Sequence, residues 1–270
     1  MGEDIHMMDW NEPVPSEPDE VHVFLGRLDR SLDLYDVPYI DDNQIIASSA
    51  GGDPARIFIR RRIQAAVRWL IAQLTGCDND EVQLCFDSYG RPVLADGTFY
   101  LGVSRDADDL LVAIARARVA ASMHWVPPAY DDAALSLLTP LERRLVARVT
   151  PEARAHVITR LWTRKDAALR LCRRRLLGAG QVEVLVEGGS GTVLVPGSSG
   201  QGHATVVVTD LPVIDNAVAA VATWHRPRVT RLWSVSYGSA IACQPSAVDG
   251  PTEPLSMNSL SSRQISSAGL

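Results

Sequence analysis

The chain has 270 residues, 46% of them hydrophobic and 21% charged, with a formal net charge of −6. That composition builds a core for one globular unit or two small ones, and the acidic balance argues against general nucleic-acid binding. No apolar run reaches the ~18 to 20 residues that span a bilayer, and the acidic, proline-bearing N-terminus is unlike a signal peptide. The cysteines (Cys77, Cys85, Cys172, Cys243) have no C-x-x-C spacing and are expected to be reduced thiols in a cytoplasmic, monomeric protein.

In chain order, residues 1 to 20 are expected to be disordered. Val21 to Leu28 alternates branched or aromatic residues with others and predicts a strand. Pro54 to Thr75 has helical periodicity and stops at Gly76. Glu81 to Phe86 predicts a strand, followed by a turn over Ser88 to Pro92. Strands follow at Phe99 to Val103 and Leu110 to Ala117. Beyond Pro127 and Pro128 one helical stretch is expected from Asp131 to Arg148. A second runs from Pro151 to Leu177, with Pro151 suited to its first turn. Val182 to Glu187, Val193 to Val195, Thr205 to Val208, Ala217 to Trp224 and Thr230 to Val235 are predicted strands. From Ala242 to Leu270 the chain is Ser/Pro-rich, without periodicity, and is expected to be a disordered tail.

Leu141 to Leu177 is rich in arginine, including Arg143, Arg144, Arg148, Arg154, Arg160, Arg164 and Arg170, against only Glu142, Glu152 and Asp166. Such a run is either a solvated helix face or a basic surface for an acidic partner or a phosphate-bearing ligand. Lys165 is the only lysine in the chain. Its survival where every other base is arginine points to a site that needs a compact ammonium. Asp108 to Ala115 (DDLLVAIA) also echoes Asp215 to Ala222 (DNAVAAVA), each after a long arginine-bearing helix. The echo is either a coincidence between two apolar strands or the mark of an α+β fold of two similar halves, 21–118 and 119–241, with a site between them.

Several segments resemble, in order, the Sfp-type 4′-phosphopantetheinyl transferases. Ser88-Tyr89-Gly90-Arg91-Pro92 is similar to the family's YGKP turn, and Phe99 to Ser104 sits where the family has F-N-[LI]-S-H-S. Val119 to His124 sits where it has G-[VI]-D-[VI]-E. Leu138 to Glu142 and Trp162-Thr163-Arg164-Lys165-Asp166 through Arg170 match its later acidic helix start and W-x-x-K-E-[AS]-x-x-K. The resemblance covers about residues 21 to 236. It implies halves related by a pseudo-twofold axis and transfer of phosphopantetheine from coenzyme A to a serine of an acyl or peptidyl carrier protein.

By the same resemblance Arg68, Arg91, Lys165 and Arg170 hold coenzyme A or the moving phosphate, and Glu142 lies near the active site. The family's magnesium carboxylates fall on Ser122, His124 and Asp166, and its phosphate-contacting histidine falls on Val103. Serine and histidine are poor magnesium ligands, so the implied metal site shrinks to Asp166 and Glu142. Three readings follow: a non-catalytic partner of a carrier protein or coenzyme A derivative in natural-product biosynthesis, a repurposed enzyme on carrier-tethered chains with His124, Lys165 and Asp166 as acid–base groups, or a surviving transferase.

Overall fold

A computed structural model describes residues 14–28, 54–87, 91–130, 132–174, 176–187, 190–197, 202–212, 216–237 and 245–247. The alternating segment near the N-terminus forms β1 (Glu20–Leu28), and the periodic arginine-bearing segment forms α1 (Pro54–Thr75), closed by Gly76 at φ 70°. A short hairpin follows, β2 (Leu84–Phe86) with β3 (Pro92–Leu94). Residues 88–90 of its predicted turn lie outside the described residues. Its ends are tied where Asp87 N–H donates to Arg91 O at 3.0 Å and Arg91 N–H donates to Asp87 Oδ1 at 3.0 Å. Next come β4 (Tyr100–Asp106), β5 (Asp109–Ala115) and β6 (Val119–Trp125).

The expected helical stretch 131–148 is two helices, α2 (Asp132–Ser136) and α3 (Pro140–Ala147). Pro140 has no N–H to continue a helix but suits a first turn. Thr139 caps that turn by accepting Glu142 N–H, and Glu142 accepts Thr139 N–H in return. The helix α4 (Pro151–Leu171) ends before Leu177. Arg173 takes a left-handed φ of 55°, and Arg174 N–H returns to Leu169 O at 2.8 Å, closing the last turn. A 3₁₀ segment (Leu176–Gln181) leads into β7 (Glu183–Glu187), β8 (Ser190–Pro196), β9 (His203–Leu211), β10 (Ala217–Thr223) and β11 (Val229–Tyr237). Within the expected tail, β12 (Pro245–Ala247) pairs antiparallel with β11; the rest of 242–270 lies outside the described residues. At the other end, Ser16 N–H and Oγ–H donate to Glu20 Oε2 at 3.0 and 3.1 Å, so the described part of segment 1–20 is tied to β1.

The architecture is α+β. One sheet runs β12-β11-β1-β5-β4 and the other β6-β10-β9-β8-β7. β1-β5-β4 and β6-β10-β9 have the same order, antiparallel throughout. α1 packs on the first sheet around Phe24, Leu70, Leu110 and Val112. α4 packs on the second around Ala120, Leu161, Ala168, Val208 and Ala220. The other faces of the two sheets meet through Val21, Val23, Leu111, Ala113, Ala121, Met123, Ala219 and Val221.

The sequence echo is out by one residue. It aligns Ala113 with Ala220, yet Ala113 lies between the sheets and Ala220 faces α4. In register, Val23 opposes Ala113 as Ala121 opposes Val221, and all four lie between the sheets. β5 and β10 are buried on both faces, so their apolar runs carry no period-two signal, and a one-residue slip exchanges the faces.

β11 crosses back and pairs parallel with β1, so the C-terminal part of the chain completes the first sheet. Gly26 permits this pairing, since a Cβ there would lie 1.9 Å from Val235 O. The two sheets also meet edge to edge at β4 and β6. A Cβ on Gly102 would lie 2.8 Å from Ala120 C and Ala121 N. Two β4 side chains satisfy N–H groups of the edge strand β6: Ser104 Oγ accepts from Met123 N–H at 3.0 Å, and Asp106 Oδ2 accepts from Trp125 N–H at 2.8 Å.

Candidate functional site

Ala120, Ser122 and His124 alternate along β6 and so share the face turned to α4. Alanines at 120, 220 and 222 leave room there for the helix. α4 presents Asp166 and, one turn later, Arg170. Ser122, wholly buried, donates Oγ–H to Asp166 Oδ2 at 2.7 Å. His124 Nε2 lies 3.1 Å from Ser122 Oγ and 3.5 Å from Asp166 Oδ2. Because the Ser122 hydrogen goes to Asp166, Nε2 is the nitrogen that donates toward Oγ. Arg170 Nε sits 2.8 Å from the same Asp166 oxygen, while its terminal NH1 donates to Val103 O at 2.9 Å across the β4–β6 seam. Arg91 donates in turn to Arg170 O. His124 Nδ1 is 4.0 Å from Asp106 Oδ2, and its ring is 6.4 Å from that of Trp162.

Burial pushes the Asp166 carboxyl up. The His124 hydrogen bond, the Arg170 charge and the hydrogen bonds from Ser122 and Arg170 outweigh it and bring the carboxyl to about 2, against an ordinary 3.8. A carboxyl lowered on folding adds stability above its unfolded value and loses it as pH falls through the folded one. The contribution is on the order of 2 kcal/mol. Asp166→Asn should therefore be less stable than the parent at pH 6 and approach it near pH 2; urea unfolding at the two pH values checks this.

Lys165 is next to Asp166 in sequence but turns about 100° away around the helix. Its Nζ lies 2.6 Å from Glu142 Oε2 and donates to Leu137 O and Ala179 O, each at 2.9 Å. Three donors meet three acceptors, which a planar guanidinium would not reproduce. Glu142 Oε2 also accepts Thr139 N–H at 2.8 Å, and Oε1 accepts Val184 N–H at 3.1 Å. Lys165 is 0% and Glu142 2% exposed. Burial pushes the Lys165 ammonium down, opposed by the hydrogen bond and charge of Glu142 and by the charge of Glu183. The pair ties α3, α4, the 3₁₀ segment and β7 together.

Arg91 and Arg170 line a cavity of about 280 Å³ at the seam, with Leu101, Gly102, Val103, Val119 and Ala121 among its walls. Burial lowers the Arg91 guanidinium, Asp87 opposes this, and Arg170 and Arg173 lower it further. Arg68 does not line this cavity. It is buried on α1, its Nε has no partner among the described residues, and burial lowers it against the opposing charge of Asp80. The structure thus joins His124, Asp166, Arg170 and Arg91, and places Lys165 with Glu142 in a separate buried pair.

The donor set does not fit magnesium. Asp166 Oδ2 is surrounded by Ser122, His124 and Arg170, and both Glu142 oxygens are engaged. Magnesium takes oxygen ligands in near-octahedral array. Among the described residues no three His, Cys, Asp or Glu side chains are grouped to hold a metal.

The arginine-rich region does not form one surface. Arg160 and Arg164 grip Asp210, with Arg164 bidentate at 2.8 and 2.8 Å and 1% exposed. Arg170 belongs to the site, and Arg143, Arg144, Arg148 and Arg154 stay exposed. The residue pattern pointed to Ser122, His124, Asp166 and Arg170 but missed Asp106, Trp162 and the Val103 carbonyl. The alternation of Gly102, Ser104 and Asp106 along β4 is the signal that would have marked a face turned to a neighbouring strand.

No protein-family model matches the chain, and no curated protein matches it.

Proposed function

We propose that this chain is a phosphopantetheinyl-transferase-like protein that has exchanged its metal centre for an internal ion-pair network and serves as a non-catalytic partner of an acyl or peptidyl carrier protein in natural-product biosynthesis. The observation that carries this reading is the 2.8 Å pairing of Arg170 with Asp166. In the family resemblance one of these groups holds magnesium and the other phosphate; here each neutralises the other. The shared order of β1-β5-β4 and β6-β10-β9 supports the resemblance, because two pseudo-twofold halves produce it. Arg91 and Arg170 both already carry contacts within the protein, so coenzyme A binds weakly there. Incubation with apo carrier proteins, coenzyme A and magnesium should leave the carrier mass unchanged. Efficient addition of phosphopantetheine would overturn the reading.

Arg144 and Arg148 are among the exposed basic groups that can meet an acidic carrier protein. Arg144→Glu with Arg148→Glu should slow association at low salt at least several-fold, with folding unchanged by circular dichroism. The difference should shrink as the Debye length falls from ~10 Å at 0.1 M to ~3 Å at 1 M salt. Equal rates at low salt would place the carrier elsewhere.

A further inference from the structure

A second concave region lies apart from the Arg91–Arg170 cavity, and nothing above assigns it a ligand. One part, about 220 Å³, is walled by Trp125, Tyr130, Leu137, Leu138, Ile158 and Trp162, with His124 among its lining. The other, about 480 Å³, is walled mainly by Pro128, Leu135, Val146, Ala147 and Ala155, with Arg143 and Arg154. Tyr130 and Ile158 line both, so the two hollows lie side by side; the larger occupies the α3–α4 corner. The larger part alone falls within the ~300 to 1,000 Å³ typical of small-molecule sites.

The groove is apolar along its length and cationic at one end. Its inner polar groups are already engaged: Tyr130 OH is 2.9 Å from Thr159 Oγ1, which donates to Ala155 O. The two rim arginines are engaged only through Nε. Arg143 Nε donates to Leu138 O at 3.1 Å and Arg154 Nε to Val149 O at 3.2 Å, which orients both guanidiniums. Their terminal nitrogens have no protein partner among the described residues. Two guanidiniums with free terminal N–H groups beside an apolar trough match a carboxylate at the end of an apolar chain. The Tyr130 ring and the aliphatic wall suit the chain and the rim suits its charge.

We propose that the larger groove binds a free carboxylic acid with a medium-length apolar chain, the carboxylate at Arg143 and Arg154 and the chain along Leu135, Val146 and Ile158. The assignment is independent of the carrier-protein reading, which uses Arg144 and Arg148.

Calorimetry on the full chain with decanoate tests it, with decanol as the uncharged probe. Decanoate should bind saturably at one site, and decanol at least ten-fold more weakly. Arg143→Gln with Arg154→Gln should reduce the decanoate affinity at least ten-fold and leave decanol unchanged. Ala147→Phe should weaken both probes; Ala147 is exposed on the rim, so the larger ring fills the groove without entering the core. Circular dichroism confirms folding, and Arg143→Lys with Arg154→Lys, which keeps the charge, should retain part of the affinity. Equal binding of acid and alcohol, indifference to the rim variants, or no saturable binding at millimolar decanoate would overturn the proposal. So would a groove that takes an acidic carrier-protein helix and excludes decanoate.

Discussion

Replacing Lys165 by methionine is expected to destabilise the fold by about 3 to 5 kcal/mol, the usual cost of removing one member of a buried ion pair. Methionine fills most of the lysine volume, so the loss is electrostatic rather than a cavity. It leaves the Glu142 carboxylate buried without its cation and leaves Leu137 O and Ala179 O without a donor. Adding Glu142→Gln should recover at least half of the loss, because the amide carries no charge and keeps one oxygen for Thr139 N–H or Val184 N–H. Lys165→Arg should also destabilise, since a guanidinium is bulkier than the wholly buried ammonium it replaces. Urea unfolding of the parent, Lys165→Met, Glu142→Gln and the double variant gives the cycle and its coupling energy. A loss below 1 kcal/mol for Lys165→Met would mean that the pair does not clamp α3 to α4.

Much of the fold is legible in the sequence where local signals are strong. α1 occupies the predicted 54–75 span because periodicity and Gly76 agree. The break between α2 and α3 was legible in Thr139-Pro140-Leu141-Glu142, a capping box with proline at the first turn, but the apolar spacing on either side continues through it. The end of α4 was not legible, because its stop is a left-handed arginine where glycine is usual. The parallel return of β11 to β1 depends on contact between residues some two hundred positions apart, which no local pattern records.

The site divides in the same way. Strand alternation places Ser122 beside His124, and spacing four along a helix places Asp166 beside Arg170. What the sequence hides is which way Lys165 turns. Its uniqueness marked a site that needs a compact ammonium. Glu142, more than twenty residues away, makes that site a buried structural clamp.

The double substitution Ser122→Asp with His124→Glu is expected to make stability depend on magnesium, whereas the parent should be indifferent to it. In the parent one carboxylate, Asp166, faces one guanidinium at 2.8 Å and the charges balance. The variant places two further carboxylates on the same strand face, with Ser122 now only 2.7 Å from Asp166. Each like-charge contact at ~4 Å costs about 4 kcal/mol at an effective dielectric of ~20. Arg170 alone does not offset this, so part of the cost appears as proton uptake and part as lost stability. At ~2 to 4 °C per kcal/mol for a chain of this size, a net loss of ~3 kcal/mol lowers Tm by about 10 °C in EDTA. Magnesium favours a set of carboxylate oxygens. Millimolar magnesium should therefore restore several degrees to the double variant, and adding Asp166→Asn should remove that response. Thermal scans of parent, double and triple variants, with EDTA and with magnesium, check each step. A magnesium-stabilised parent would show that Asp166 still serves a metal. A double variant as stable as the parent in EDTA, with no magnesium response, would show that Ser122 and His124 do not occupy the place of a lost cation site.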